Sequence, residues 1–249
     1  MAAGYANSRP PVHPRVMERV FRQLGRTEPF HYALDIGCGS GVSTRALDGL
    51  ARARVGLDPA EAMLRWAAKV APFASFAAGT AEAIPLRDGS VDLITAAGSL
   101  NYAKLDLFFP EAARVLMGRG VLVVYDFSAG RSFRNSTTLD AWFDAFFTRY
   151  PPPANEAREL SPAILSGLNS GFHVRGQEHF EIAIAMKPEF YLDYVLTETN
   201  VAAALRAGTP YSEVRSWCAE TLATVWMGEV REVIFRGYFA CMAATARNS

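Results

Sequence analysis

The run from Leu34 to Gly41 constrains the fold of this chain more than any other segment. It reads LDIGCGSG, with glycine at every second position from Gly37, and it separates a strand predicted over 32–36 from a helix predicted over 42–50. Glycine lets the backbone turn sharply and approach a ligand without a Cβ in the way. The start of a helix also offers backbone N–H groups to an anionic group. The run therefore predicts a small charged cofactor lying across this turn.

The glycine spacing differs from a dinucleotide fingerprint, which needs glycine at 37, 39 and 42. Position 42 is valine, and the third glycine comes one position early. Asp58 follows at the distance where an acid after the next strand meets ribose hydroxyls. Asp58 also fits a capping box, with Pro59 at the first helical position and Glu61 at the third. We expect both roles, with one carboxylate oxygen capping the helix and the other free for a ribose diol.

From this turn onward the chain resembles the class I S-adenosylmethionine-dependent methyltransferases, over about residues 5–127. Residues 78–86 (AGTAEAIPL) are similar to the family's G-x-A-E-x-L-P segment after the third strand, and residues 90–97 (SVDLITAA) to its fourth strand. Residues 111–122 look like the helix and fifth strand that follow. Within the superfamily the likeness is to the small-molecule branch, methyltransferase type 11 and trans-aconitate methyltransferase-like proteins. Many of those begin with a Tyr…Arg-Pro element, which Tyr5, Arg9 and Pro10 repeat.

The resemblance implies S-adenosyl-L-methionine as the cofactor and S-adenosyl-L-homocysteine as the product. It implies that Asp35 and the turn backbone face the methionine part and that Met63 lies against adenine, with core packing an equal alternative for Met63. Many relatives have Asp where Thr80 stands, which weakens the adenine contact. Tyr5 and Arg9 would close over the methionine carboxylate, unless the N-terminal arm is unattached. The expected cofactor contacts are Tyr5, Arg9, Asp35, Gly37, Cys38, Gly39, Gly41, Asp58, Pro59, Met63, Thr80, Ala81, Glu82, Ala97 and Gly98.

No general base can be inherited from the resemblance. Where close relatives often have His-Trp after strand four, this chain has Asn101-Tyr102, and neither side chain accepts a proton readily at neutral pH. His13 is the one histidine expected near the cofactor mouth, with an exposed loop position as the alternative. No catalytic residue is certain; the candidates are His13, Asn101 and Tyr102. The mechanism predicted is in-line methyl transfer driven by positioning of the acceptor.

Alternating apolar strands and amphipathic helices predict an α/β fold. The expectation is a Rossmann-like, doubly wound, seven-stranded and mostly parallel sheet whose last strand is antiparallel. Strands are predicted near 32–36, 53–57, 73–77, 91–96, 120–126, 174–185 and 230–245, and helices near 14–24, 42–50, 60–70, 107–117, 188–206 and 211–227. The chain is expected to be a single domain over 1–249, with an N-terminal lid helix region at 1–25 and substrate-cap insertions at 127–172 and 187–228.

Aromatic residues crowd both predicted insertions. At helical spacing such residues usually belong to a core, but a dry aromatic wall also suits a sulfonium and excludes water. The hypothesis is a mostly apolar pocket for a small organic acceptor. Its expected lining residues are Trp142, Phe146, Tyr191, Tyr194 and Trp226.

Composition narrows the function classes. The formal net charge is zero and the basic residues are scattered, so no nucleic-acid footprint is visible. No apolar stretch is long enough to span a bilayer, and the N-terminus is not that of a secretory signal. Three cysteines without C-x-x-C spacing and four unpaired histidines predict no metal site. We expect a cytoplasmic monomer or homodimer that acts on a small molecule, with no nucleic-acid or membrane partner.

Three interpretations remain open from the sequence. The first is a small-molecule methyltransferase (EC 2.1.1), with O-methylation favoured. The absence of an evident base favours an acidic or otherwise self-activated acceptor. The second is an enzyme of the same fold that uses S-adenosylmethionine without methylating. The third is a catalytically silent cofactor-binding protein, since a fold does not dictate a function.

Overall fold

A computed structural model describes residues 8–154 and 157–245; Tyr5 lies outside these described residues. The chain divides into two compact units. The larger unit comprises described residues 13–127, 157–180 and 237–245, and the smaller unit comprises 8–12, 128–154 and 181–236. The boundaries differ from the predicted insertions at 127–172 and 187–228, because residues 157–172 fold with the larger unit.

Eight strands form one sheet within the described residues. They are β1 (Phe30–Ile36), β2 (Ala51–Asp58), β3 (Ser75–Ala78), β4 (Val91–Ala97), β5 (Leu116–Phe127), β6 (Ser132–Phe133), β7 (Phe172–Met186) and β8 (Arg231–Ala244). The order is β3-β2-β1-β4-β5-β8-β6, and β7 also pairs with β8. Strands β1 to β5 are parallel and β8 is antiparallel to β5. The predicted mostly parallel sheet with an antiparallel last strand is therefore confirmed, and the short β6 is the strand that the sequence did not predict.

Helices connect these strands. In chain order they are α1 (Val12–Gln23), α2 (Val42–Arg45), α3 (Glu61–Val70), α4 (Leu105–Val115), α5 (Thr138–Arg149), α6 (Pro162–Gly167), α7 (Pro188–Val195), α8 (Thr199–Arg206) and α9 (Tyr211–Val225). The predicted helix over 42–50 is wrong beyond residue 45. The chain continues there as turns, and Gly49 has a φ of 75°, a left-handed conformation that a continuous helix cannot include.

The core of the larger unit is built by the central strands. In β1 and β4 the last residues are almost all buried, as expected for parallel strands that are covered on both faces. Leu34, Ile94 and Leu122 occupy adjacent register positions and pack with Phe108 of α4. This packing fixes the position of the carboxyl ends of β1, β4 and β5. Among the described residues, no helix is long and apolar enough to cross a membrane.

Candidate functional site

The order of the strands reverses between β1 and β4, which pair with each other in the middle of the sheet. In open α/β sheets, ligands bind in the crevice outside the carboxyl ends of the strands at such a point. The loops that leave both strands meet there, since the Ser99 Oγ donates to the Ile36 carbonyl at 2.6 Å. A Cβ on Gly37 would lie 2.3 Å from the Ser99 Cβ. The glycine turn thus lies at the expected ligand crevice.

The three glycines of the turn have different roles. All have positive φ, 65° at Gly37, 51° at Gly39 and 83° at Gly41. A Cβ on Gly41 would clash with the Ala67 Cα of α3 at 2.9 Å, so this glycine lets the turn and α3 pack closely. A Cβ on Gly39 would have just one neighbour among the described residues, the Met63 Cε at 3.7 Å. Gly39 therefore borders open space, where the absence of a side chain admits a ligand.

Asp58 lies at the carboxyl end of β2 and is tied to this turn. One of its oxygens, Oδ2, accepts the Gly39 N–H at 2.8 Å, and the other, Oδ1, accepts the Ala60 N–H at 2.8 Å. The predicted capping box is wrong, because α3 begins at Glu61 with Ala60 as its N-cap and no side-chain cap. A carboxylate has about four lone-pair positions, so both oxygens of the half-buried Asp58 keep one position for a further donor.

Asp35 lies beneath the turn rather than at its surface. Its carboxylate is fully buried and accepts hydroxyl hydrogen bonds from Ser43, Thr44 and Thr95 at 2.7, 2.7 and 2.8 Å. Burial raises the pKa of Asp35, while the three hydroxyl donors oppose that rise. The expected contact of its side chain with the methionine part is therefore revised: Asp35 holds the turn and the start of α2 in place.

Several backbone donors of the turn are satisfied within the protein. Gly37 and Cys38 donate to the Leu57 carbonyl, and Gly41 donates to the Cys38 carbonyl. The side chain of Cys38 is buried, and burial raises the pKa of its thiol. Helix α2 has four residues. The expectation that an anionic group lies at the start of this helix stays a prediction.

The remaining predicted cofactor residues surround the same end of the sheet. Met63 is half-buried next to Gly39, Thr80 is exposed and Ala81 is half-buried. Glu82 accepts the Lys104 N–H at 2.7 Å and so connects the loop after β3 with the loop after β4. Pro59 is exposed, and Ala97 and Gly98 lie half-buried at the end of β4.

The three catalytic candidates are in different environments. The Nδ1 of His13 lies 2.9 Å from the hydroxyl of the buried Tyr125 at the end of β5. Asn101 donates its side-chain amide to Asp126 Oδ2 at 3.0 Å, whereas Tyr102 is 69% exposed. The Asn101 side chain thus holds the carboxylate of Asp126 in place by this hydrogen bond.

Asp126 itself was missed by sequence reasoning. It is the penultimate residue of β5, and its Oδ1 accepts the N–H of Phe127 at 2.8 Å. Burial raises the pKa of Asp126, and the hydrogen bonds from Phe127 and Asn101 oppose that rise. The signal was available: an acid at the carboxyl end of a predicted central parallel strand lies where ligands bind.

Arg9 belongs to the smaller unit. Its guanidinium lies 3.5 Å from Glu198 Oε1 and 5.2 Å from the ring centroid of Tyr194. Burial raises the pKa of Glu198, and the charges of Arg9 and Arg131 oppose that rise. The contact of Arg9 with the methionine carboxylate stays a prediction.

The five residues expected to line a substrate pocket are buried in the core of the smaller unit. Trp142 stacks on Phe146 with ring centroids 4.9 Å apart, and Tyr191 contacts Trp226 at 5.1 Å and Tyr194 at 5.8 Å. The Trp142 Nε1 donates to Thr221, and the Tyr191 hydroxyl donates to the Gly130 carbonyl. The pocket interpretation is revised accordingly, because these side chains fill the interior by packing on one another.

Comparisons with known proteins agree with this geometry. A family profile described as a methyltransferase domain matches residues 34–124. A Dictyostelium discoideum protein with a provisional methyltransferase name is 32% identical over 104 residues, 42% of this chain and 39% of that protein. An uncharacterized methyltransferase of Mycobacterium tuberculosis is 32% identical over 118 residues, 47% of this chain and 46% of that protein. The matched segment spans less than half the length of either relative.

Solved structures extend the likeness in fold to almost the whole chain. A protein from Anaeromyxobacter dehalogenans, provisionally named a type II methyltransferase, superposes with a TM-score of 0.70 at 24% identity, over 91% of this chain and 95% of that one. A geranyl diphosphate methyltransferase in complex with S-adenosylmethionine superposes with a TM-score of 0.50 at 16% identity, over 93% and 85% of the two chains. The trans-aconitate methyltransferase-like branch stays a prediction. Residues 34–124 thus match a methyltransferase domain, and the chain as a whole has a fold similar to that of solved proteins named as methyltransferases.

Proposed function

We propose that this protein transfers a methyl group from S-adenosyl-L-methionine to a small organic molecule, with O-methylation as the favoured reaction and S-adenosyl-L-homocysteine as the product. The observation that carries this proposal is the joint arrangement of Gly39 and Asp58. Gly39 borders open space at the switch point, and Asp58 is anchored to it with two acceptor positions still available. Two acceptors side by side fit the two hydroxyls of a ribose.

The residues around Gly39 fit the rest of the cofactor. Met63, whose methyl group borders the space in front of Gly39, is proposed to lie against the adenine ring. Thr80 and the backbone of Ala81 are proposed at the adenine edge. The known complex of one structural neighbour with S-adenosylmethionine supports this cofactor. Asp35 acts indirectly, because its three hydroxyl contacts fix the turn that these residues share.

In this reaction the protein aligns the acceptor atom with the methyl group of the cofactor. The cofactor, when bound, supplies a methyl group on a sulfonium, which is already a good leaving group. The side chains at the ends of β4 and β5 must place the acceptor atom in line behind that methyl group. In the best intramolecular cases such alignment supplies roughly 7–11 kcal/mol of the barrier. A net charge of zero supports a small molecule rather than nucleic acid as the acceptor. We also propose that the protein is a cytoplasmic monomer or homodimer.

The direct test follows the methyl group. The purified protein is incubated with S-adenosylmethionine labelled in the methyl group and a set of small metabolites, and the products are analysed by mass spectrometry. We expect the label to appear in a small molecule together with unlabelled S-adenosylhomocysteine. A label that stays on a mass-shifted cofactor would instead support the same-fold enzyme that does not methylate. A failure to bind the cofactor would contradict the proposal as a whole.

A further inference from the structure

A second polar cluster lies in the larger unit at the carboxyl ends of β4 and β5. We call it the acceptor cluster; it consists of Asp126, Asn101 and Tyr238. The Asn101 amide holds Asp126 Oδ2 at 3.0 Å, and the Phe127 N–H holds Oδ1 at 2.8 Å. A Cβ on Gly98 would lie 2.9 Å from Asp126 Oδ1, so the carboxylate rests against the backbone that leaves β4. Each oxygen of Asp126 keeps an acceptor position.

Tyr238 contributes an unpaired donor to this cluster. It lies opposite Asp126 in the antiparallel pairing of β5 with β8, which puts the two Cβ atoms about 4.5–5.5 Å apart on one face of the sheet. Its hydroxyl is buried and has no hydrogen-bond partner in the part of the chain that the structure describes. An unpaired buried hydroxyl costs about 1–3 kcal/mol, and a ligand that accepts from this hydroxyl would recover that cost.

The surrounding charges restrict the chemistry of that partner. Among the described residues, the charge of Asp126 acts on the buried Tyr125 and the charge of Glu159 acts on Tyr238, and the ring centroid of His179 lies 6.3 Å from that of Tyr238. A carboxylate ligand would meet Asp126 and Glu159 as like charges. A protonated amine could pair with Asp126, but it has no lone pair for the Tyr238 hydroxyl. A neutral hydroxyl group can donate a hydrogen bond to Asp126 and accept one from the Tyr238 hydroxyl.

We propose that the acceptor cluster binds the hydroxyl of an uncharged organic acceptor, with Asp126 as the general base and Tyr238 donating to the acceptor oxygen. This inference rests on the proposed function and names its substrate class. It also explains why no base was found in the Asn101-Tyr102 segment: Asn101 orients the base, which lies on the neighbouring strand. A buried carboxyl group whose pKa is raised is better matched to proton abstraction near neutral pH than an exposed one.

The proposed step balances in atoms and charge. The acceptor oxygen forms a bond to the methyl carbon while the bond from that carbon to sulfur breaks, and the bonding electron pair stays on sulfur. The proton of the acceptor hydroxyl passes to a carboxylate oxygen of Asp126 and is later released to solvent. The hydrogen bond from Tyr238 points one lone pair of the acceptor oxygen away from the methyl group and thereby directs the other toward it.

The test uses methyl-labelled S-adenosylmethionine and a panel of substituted phenols, from strongly acidic nitrophenols to phenols as weakly acidic as a tyrosine side chain. For weakly acidic phenols we expect Asp126→Asn to lower kcat by about 10²–10⁴-fold, the usual contribution of a general base. For nitrophenols, which lose the hydroxyl proton readily without a base, the loss should be much smaller. Tyr238→Phe should raise KM for every phenol and also lower kcat, because the acceptor oxygen is then no longer directed toward the methyl group. Asp88→Asn and Tyr32→Phe, at exposed sites of the larger unit, are the matched controls.

The outcomes separate the two proposals. An equal loss for all phenols in Asp126→Asn would make Asp126 a structural residue and overturn the inference. If Asp126→Asn does not fold, Tyr238→Phe still decides, because an unchanged KM for every phenol contradicts the inference. A wild-type protein that binds S-adenosylmethionine in calorimetry but methylates none of the phenols also overturns it and leaves the proposed function intact. A wild-type protein that does not bind the cofactor removes the proposed function itself.

Discussion

The glycine turn of the larger unit and the aromatic cluster of the smaller unit are both prominent in the sequence, but they have different physical roles. At the turn, Gly39 borders open space and Asp58 keeps unused acceptor positions. In the aromatic cluster, the side chains of Trp142 and Phe146 are at most 4% exposed and their rings stack on each other. A motif that leaves space and hydrogen-bonding capacity unfilled indicates a ligand, whereas rings at helical spacing indicate packing.

The largest expected effect is a loss of stability in the aromatic cluster. Phe146→Ala should reduce the free energy of unfolding by about 3–5 kcal/mol, because it removes a fully buried ring and leaves a cavity. Chemical denaturation measures the change. Phe73→Ala, at a side chain that is 83% exposed, is the matched control and should stay within about 0.5 kcal/mol of wild type. If both variants unfold alike, the aromatic cluster is not a packed core, and a role in lining a pocket becomes open again.

The glycine turn should show a smaller loss of stability that depends on position. Gly37→Ala places a Cβ 2.3 Å from the Ser99 Cβ at a φ of 65°, so we expect a loss of roughly 2–4 kcal/mol from strain and overpacking together. Denaturation with urea measures it.

Gly39→Ala is the informative counterpart, since its Cβ would meet no atom closer than 3.7 Å. It should cost about 1–2 kcal/mol for the left-handed conformation alone, while cofactor affinity falls strongly because the methyl group enters the ligand space. Calorimetry with S-adenosylmethionine measures that affinity. A folded Gly39→Ala protein with wild-type affinity would place the cofactor elsewhere.

The smallest expected effect is a pH dependence at Asp126. Because burial raises the pKa of Asp126 above its ordinary value of 3.8, the folded protein binds this proton more readily than the unfolded chain does. Stability must therefore fall as pH rises from about 3.8 through the folded pKa. Asp126→Asn removes that dependence, so its stability relative to wild type should improve between acid and neutral pH. A constant difference across that range would show that the carboxyl group is not desolvated.

Much of the fold could be predicted from the sequence because the strands are short apolar runs between helical patterns. β1, β4 and β8 lie within a few residues of their predicted bounds. The helix over 42–50 was overestimated because its hydrophobic pattern continues past the point where the backbone turns. The two-residue β6 carries too little pattern to be recognised, and it exists because it pairs with residues 233 and 234 of β8.

The site was only partly predictable, for a different physical reason. The roles of Gly39 and Asp58 follow from local backbone requirements that a motif records. The burial of Asp35 depends on three hydroxyls from two other segments, and the juxtaposition of Asp126 with Tyr238 depends on the register of β5 with β8. Such contacts between distant segments leave no local signal in a single sequence.

The most direct measurement is calorimetric titration of S-adenosylmethionine into wild type, Asp58→Asn and the exposed control Asp88→Asn. Asparagine would present an N–H₂ group to one of the two N–H donors that Asp58 now holds and would offer the ribose one oxygen instead of two. We predict that Asp58→Asn weakens binding by about 1–3 kcal/mol and that Asp88→Asn binds as wild type does. Equal affinity in all three proteins would contradict the assignment of the cofactor site to the turn and Asp58.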